Sequence, residues 1–330
     1  MLNIVSDFIK SILPAKKKTT PSGWTSFNAP CCVHNGESAD TRGRGGLTAN
    51  PDGSVSYHCF NCNFKASYQP GRHLTFKFRK LLKWLGADDT DIKRLVIEAI
   101  RVRELVAPEE VKAVAEEEKI DFKVRDLPED AENLVAIDYV HPALEYCVAR
   151  KIDIAKYAFY ATKQEQYNLH RRVIIPCVWQ GKTIGYIGRG LDVGIKPKYY
   201  NQFEPNFVFN TNNQLADSKF VIVCEGPFDA MSIDGVAVMH NECNETQADI
   251  IESLGREVIV VADRDRAGAR MINNAIKYGW SVSFPVWLET SKDINEAVCK
   301  YGRLFVLKTI LDAKQTSKLK IELMKKKLYN

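Results

Sequence analysis

The rhythm of hydrophobic and polar positions changes several times along the chain. Residues 1–20 predict a short helix that runs into the lysine cluster Lys16-Lys17-Lys18, read as a flexible joint. Residues 21–72 have few apolar positions and many Gly, Asn, Ser and Cys, with short β-like pieces such as SVSYHCF. That stretch is too polar to organise a core alone, so a bound metal is the expected organiser. From Leu74 to Leu105 apolar residues recur at helical spacing, which predicts two amphipathic helices broken near Gly86. Residues 107–133 are acidic, carry Pro108 and Pro128, and predict a tether.

A second globular region begins near Tyr139. HPALEYCVARKI predicts a helix with Pro142 in its first turn. RRVIIPCVWQGKTIGYIGRGL predicts a hairpin around Gln180-Gly181-Lys182. Three apolar runs follow, at 219–224, 257–262 and 281–287, with helical patterns at 228–234, 246–254 and 267–278 between and beside them. Short apolar strands alternating with helices predict an α/β fold with a mostly parallel, buried sheet.

Composition adds limits. The chain has 330 residues, 45% hydrophobic and 26% charged, with 19 Gly and 13 Pro. These values exclude collagen-like and wholly disordered classes. No apolar run is long enough to span a membrane, and the basic cluster follows the first apolar stretch rather than preceding it. A cytoplasmic protein without membrane partners is expected. The net charge of +5 is an average over unlike segments. Residues 1–103 hold 16 basic and 8 acidic residues, residues 104–140 hold 4 and 12, and residues 301–330 hold 8 and 2. A basic module, an acidic tether and a basic helical tail are implied.

Four of the nine cysteines fall between positions 31 and 62. Cys31, His34, Cys59 and Cys62 give C-x2-H-x24-C-x2-C, the spacing of a closed tetrahedral zinc site in which a hairpin returns the second pair. Cys32 is the alternative first ligand. Arg42, Arg44, Lys65 and Arg72 lie around this site, interleaved with Tyr57, Phe60, Phe64 and Tyr68. Cations with stacking faces suit single-stranded nucleic acid, while docking to another protein is the plainer use of such a ribbon.

Each of the three late strands ends at acids: Glu225 and Asp229, then Asp263 and Asp265, then Asp293. Ligands of open parallel sheets bind beyond the carboxyl ends of the strands, so these acids are expected to converge. Clustered carboxylates repel unless a hard cation joins them, which points to Mg2+ or Mn2+. Glu225 is placed to act as a general base or a further ligand.

EGPFDA, ADRDRAG and SKDINEA, in that order, resemble the three signatures of the Toprim fold, and CCVH…YHCFNC resembles the zinc ribbon of DnaG-type primases. The hairpin, KPKYYNQ and HPALEYCVARKI resemble the polymerase core of the same primases. The resemblance covers roughly residues 27–300, and the KDIN form looks closest to the short primases of T-even-type bacteriophages. It implies a DNA primase: a nucleotidyltransferase making short RNA primers on single-stranded DNA from NTPs, in DNA replication beside a replicative helicase and a single-strand-binding protein. It implies Glu225, Asp229, Asp263 and Asp265 as catalytic acids, with Asp263, Asp265 and Asp293 as Mg2+ ligands. It implies Arg189 and Lys198, and with them Arg172, as NTP or template contacts. Asn295 stands where bacterial relatives tend to carry an acid. The domains expected are an N-terminal extension (1–26), a zinc ribbon (27–73), a helical segment and tether (74–138), the first part of the polymerase core (139–218), the Toprim subdomain (219–300) and the basic tail (301–330). The tail or the N-terminal region is expected to meet the helicase. The alternatives are a Toprim nuclease or topoisomerase fragment, and a non-catalytic module that binds single strands or helicase.

Overall fold

The computed structural model describes residues 3–21, 23–105, 120–137, 139–162, 168–215, 218–240 and 242–329. The chain divides into two compact units, Met1–Lys119 with Glu252–Arg256, and Ile120–Ile251 with Glu257–Asn330.

The first unit opens with helix α1 (Ile4–Ser11) and builds an antiparallel sheet in chain order: β1 (Lys17–Thr19), β2 (Trp24–Phe27), β3 (Gly45–Ala49), β4 (Val55–Cys59) and β5 (Lys65–Tyr68). The lysine run is therefore an edge strand rather than a joint, and lysines suit an edge that must not recruit further strands. Helices α2 (Phe76–Trp84) and α3 (Asp89–Leu105) follow, separated near Gly86 as the periodicity predicts. Thr75 caps α2 by accepting from the Phe78 amide. Residues from the three helices and from β2 to β5 share one core, including Val5, Ile9, Phe27, Leu47, Tyr57, Tyr68, Phe78 and Leu95. The ribbon thus borrows an apolar core from its flanking helices.

Of the acidic segment, residues 107–119 lie outside the described residues. Ala131–Asn133 is strand β6, at the edge of the second unit's first sheet. Helix α4 (Pro142–Ala149) has Pro142 in its first turn and His141 as its cap. Strands β7 (Tyr160–Thr162), β8 (Arg172–Trp179), β9 (Lys182–Gly190) and β10 (Tyr199–Gln202) complete that antiparallel sheet in the order β10-β9-β8-β7-β6. The β8–β9 hairpin turns at Gln180 and Gly181, both at positive φ, which matches the strands' right-handed twist.

The second sheet of this unit follows the order β12-β11-β13-β14-β15, from β11 (Phe220–Cys224), β12 (Val236–Ala237), β13 (Glu257–Val260), β14 (Ser281–Ser283) and β15 (Lys314–Gln315). All its pairs are parallel except β14 with β15. Val221, Ile222, Val223, Val258, Ile259 and Val260 are buried, as strands covered on both faces require. Helices α5 (Pro227–Ile233), α6 (Glu245–Ser253), α7 (Arg266–Tyr278), α8 (Ile294–Tyr301), α9 (Arg303–Asp312) and α10 (Lys318–Leu328) complete the chain. The run at 281–287 yields only a three-residue strand, because Pro285 has no amide hydrogen and the chain turns there into a 3-10 helix at Val286–Glu289. No helix among the described residues is long and apolar enough to cross a membrane.

Candidate functional site

In the first unit, Cys31 closes the loop after β2, Cys32 opens a 3-10 turn, Cys59 ends β4 and Cys62 lies in the turn before β5. Their four sulfurs lie within 4.8 Å of one another. Cys31 Sγ is 3.4 Å from Cys62 Sγ, and Cys32 Sγ is 3.6 Å from Cys59 Sγ. Four thiolates around a tetrahedral Zn2+ at about 2.3 Å would stand about 3.8 Å apart, so the donor set fits zinc. Asn61 Nδ2 approaches Cys32 Sγ and Asn35 Nδ2 approaches Cys62 Sγ, each at 3.5 Å, and both would steady thiolates. Burial pushes the Cys32 thiol up to about 11, so metal binding there displaces a proton.

This corrects one expected ligand. His34 is exposed and stacks flat on Trp84 of α2, with centroids 4.8 Å apart and planes 5° apart. The 3-10 turn from Cys32 to Asn35 swings both Cys31 and Cys32 inward and the imidazole outward. The ribbon surface is also less aromatic than the sequence implies. Tyr57 and Tyr68 alternate into the core, and Phe64 packs against it. Phe60 remains exposed, with the His58 ring 4.4 Å away and Trp24 at 6.2 Å.

In the second unit, one cleft lies beyond the carboxyl ends of the parallel strands. Glu225 follows β11, Asp229 sits in the first turn of α5, Asp263 follows β13 and Asp293 caps α8; all four line the cleft. A Cβ at Gly226 would lie 2.8 Å from Asp229 Oδ2 and would push that carboxylate aside. Asp265 stands at the margin and is not among the lining residues. Its Oδ1 accepts from the amides of Ala267 and Gly268 at the start of α7, and its Oδ2 is 3.5 Å from Lys292 Nζ.

The acids are held in an unfavourable state. Burial, then the charges of Asp263 and Asp265, raise Glu225 to about 8. Burial, then Asp293 and Asp265, raise Asp263 to about 7. Burial, then the charges of Asp293 and Asp263, lift Asp229 well above the carboxylate range. Such a set gains from any cation that enters, and hard oxygen donors suit Mg2+ or Mn2+.

Opposite the acids stand cations. Arg189 is packed over Tyr199 and donates from Nε to Tyr146 Oη at 3.0 Å. Lys198 lines the same cleft, its affinity for a proton lowered by burial and by Arg189. Arg172, expected to join them, does not. It is 4% exposed, and its guanidinium donates to the carbonyls of Gly188, Pro197 and Lys198 at 2.7–3.3 Å. It braces the backbone that carries Lys198.

Sequence reasoning missed Arg150 and the part played by Asn295. Arg150 lines the cleft, lies over the rings of Tyr146 and Phe228, and donates from Nη1 to Asn295 Oδ1 at 2.7 Å. Asn295 Nδ2 donates to the Arg150 carbonyl and to Ser232 Oγ, and its backbone amide donates to Asp229 Oδ1 at 2.8 Å. A neutral amide thus ties a cleft cation to a cleft acid. A lone arginine at a helix end carries no sequence signal, because its partner is 145 residues away.

A Toprim-like family model matches residues 222–298. A curated DNA primase of Aquifex aeolicus (strain VF5) is 25% identical over 152 residues, a match covering 40% of this chain and 30% of that protein. The chain therefore spans under a third of the length of this relative. Among solved structures, the zinc-binding and RNA polymerase domains of the Aquifex aeolicus primase align over 94% of this chain and 83% of theirs, at 17% identity and a TM-score of 0.46. The RNA polymerase domain of Mycobacterium tuberculosis primase DnaG aligns over 55% of this chain and 79% of its own, at 18% identity and a TM-score of 0.44.

Proposed function

We propose that the chain is a DNA primase that joins NTPs into short RNA on single-stranded DNA. One observation carries this reading: Glu225, Asp229, Asp263 and Asp293 gather at one strand edge and face Arg150, Arg189 and Lys198 across the same cleft. Acids without cations would suit a simple metal store, and cations without acids would suit an anion trap. Together they suit a reaction in which a triphosphate is bound and its charge redistributed. The Toprim-like match over residues 222–298 and the likeness to a curated DNA primase support the same reading.

Asp263, Asp265 and Asp293 would hold Mg2+ or Mn2+, with Glu225 and Asp229 beside them; so bound, the ion lowers the pKa of an attacking hydroxyl and shields phosphate charge. The 3′-oxygen of the growing strand forms a bond to the α-phosphorus of the incoming NTP, and the bond from that phosphorus to the pyrophosphate oxygen breaks. Glu225, once ionised, takes the proton of the 3′-hydroxyl. Arg150, Arg189 and Lys198 bind the triphosphate or the template backbone.

In the first unit, the four thiols hold structural zinc, and the exposed Phe60 face of the ribbon contacts template. The KDIN sequence at Lys292–Asn295 supports kinship with short phage-type primases that work beside a replicative helicase. The test is direct. Single-stranded template, NTPs and Mg2+ should yield short RNA on a gel, more of it with helicase, and none with Asp263→Asn. Absence of RNA from the wild-type chain under all these conditions refutes the reading.

A further inference from the structure

Helix α10 lies in the basic stretch that the chemistry above leaves unused. It runs against α7: Ile321 is 2% exposed, and Lys325 Nζ donates to Asn273 Oδ1 of α7 at 2.7 Å. Just past its last turn stands Tyr329. The Tyr329 hydroxyl donates to the carbonyl of Ala262 at 2.9 Å, one residue before Asp263. Its ring closes over the first turn of α7, where a Cβ on Gly268 would lie 3.1 Å from Tyr329 Cε1 and 1.9 Å from the Asp263 carbonyl oxygen. Phe284 meets the ring edge-on, with centroids 6.5 Å apart.

The loop so gripped carries both acids of the second motif. Besides the amides of Ala267 and Gly268 on Asp265, other hydrogen bonds hold this loop to its neighbours. The Asp263 amide donates to Glu225 Oε1 at 3.3 Å, the Arg264 amide to the Lys292 carbonyl at 3.2 Å, and Arg264 Nη1 to the Leu288 carbonyl at 2.6 Å. The first of these ties together two acids that repel each other. Tyr329 comes from outside that set and bears no charge. Burial, then the charges of Asp263, Glu225 and Asp265, push its hydroxyl well up, so it remains a donor at any working pH. Ligand oxygens are useful to a metal only when their supporting shell fixes them within a fraction of an ångström.

We propose that Tyr329 is a positioning residue for the Asp263–Asp265 loop, and that α10 is the strap that delivers it. The inference rests on the reading of that loop as a divalent-metal site. The test is Mn2+ binding to the zinc-loaded full chain, followed by calorimetry and by the electron paramagnetic resonance of free Mn2+. Tyr329→Phe keeps the ring and removes one hydrogen bond, so binding should weaken about tenfold. Priming by this variant should recover to the wild-type rate at saturating Mn2+, which general loosening of the fold would not allow. Tyr329→Leu, lacking the ring as well, should weaken binding further. Asp263→Asn separates the two ideas. If Asp263→Asn abolishes Mn2+ binding while Tyr329→Phe and Tyr329→Leu bind like wild type, the strap is refuted and the metal site stands. If Asp263→Asn binds Mn2+ as wild type does, the metal reading itself falls. A deficit in Tyr329→Phe that persists at saturating Mn2+ also overturns the positioning role.

Discussion

Metal entry into the acid cleft should expel protons, and the amount follows from the structure. Burial and neighbouring charges push Glu225 up to about 8 and Asp263 up to about 7 in the metal-free protein. At pH 6.5 those values leave both acids largely protonated, so a cation that needs both as carboxylates releases between about one and two protons. At pH 9 the same arithmetic leaves about 0.1. The sign of the linkage can be checked on stability. Both folded values lie above those of the unfolded chain, near 4, so the folded state binds the extra protons between about pH 4 and 8. Stability of the metal-free second unit is therefore greatest on the acid side of that window and declines as pH rises to about 8, and saturating Mn2+ removes the decline. Calorimetric titration of Mn2+ into the zinc-loaded protein, in two buffers of different ionisation enthalpy, measures the proton count. Release below about 0.3 protons at pH 6.5, or release that does not fall between pH 6.5 and 9, would refute a shared cation at these acids.

Three further outcomes follow. Cys32→Ser should lose zinc and the first unit's cooperative melting, whereas His34→Ala should keep zinc and lose about 0.5–1.5 kcal/mol from the Trp84 stack; zinc content by atomic absorption decides between them. Arg172→Met removes the guanidinium that donates to the Gly188, Pro197 and Lys198 carbonyls and should destabilise the second unit by roughly 2 kcal/mol in urea unfolding; a fully stable variant that merely binds nucleotide poorly would restore Arg172 to the cleft. Asn295→Ala releases Arg150 at both ends and should raise KM for NTP about tenfold while kcat stays within about threefold; an unchanged KM would show that the clamp does not position Arg150.

The parts legible in the sequence were those written in local rhythm. FVIVC and EVIVVA are buried on both faces and read as strands without help from distant residues. Acids at their ends are where parallel sheets place ligands, and Glu225 and Asp263 stand there. The alternation of Val55, Tyr57 and Cys59 also marks Tyr57 as inward-facing; period two carried that signal, although the tyrosine looked like a stacking surface. What escaped depends on contacts between segments far apart in the chain. The choice between Cys32 and His34 turns on Trp84, a helix residue that takes the imidazole as a stacking partner. The place of Arg172 depends on carbonyls 25 residues further on, and its charge pattern equals that of a phosphate-binding arginine. Arg150 gains its role only when α8 brings Asn295 beside it.

The three cleft cations differ in how freely they move. Arg150 and Arg189 are each fixed by ring faces and a side-chain hydrogen bond, so their charges are stationary. Lys198 is anchored at its backbone, where its carbonyl accepts from Arg172 and from the Gly190 amide, while its ammonium rides on an exposed four-carbon stem. The cleft therefore holds two stiff cations and a more compliant one. In the proposed reaction the stiff cations would hold the phosphate that stays, and the compliant one would travel with the pyrophosphate that leaves. Lys198→Arg would exchange that compliance for a planar, pre-set grip. It should slow the departure of pyrophosphate more than the binding of NTP, a difference that pre-steady-state kinetics separates.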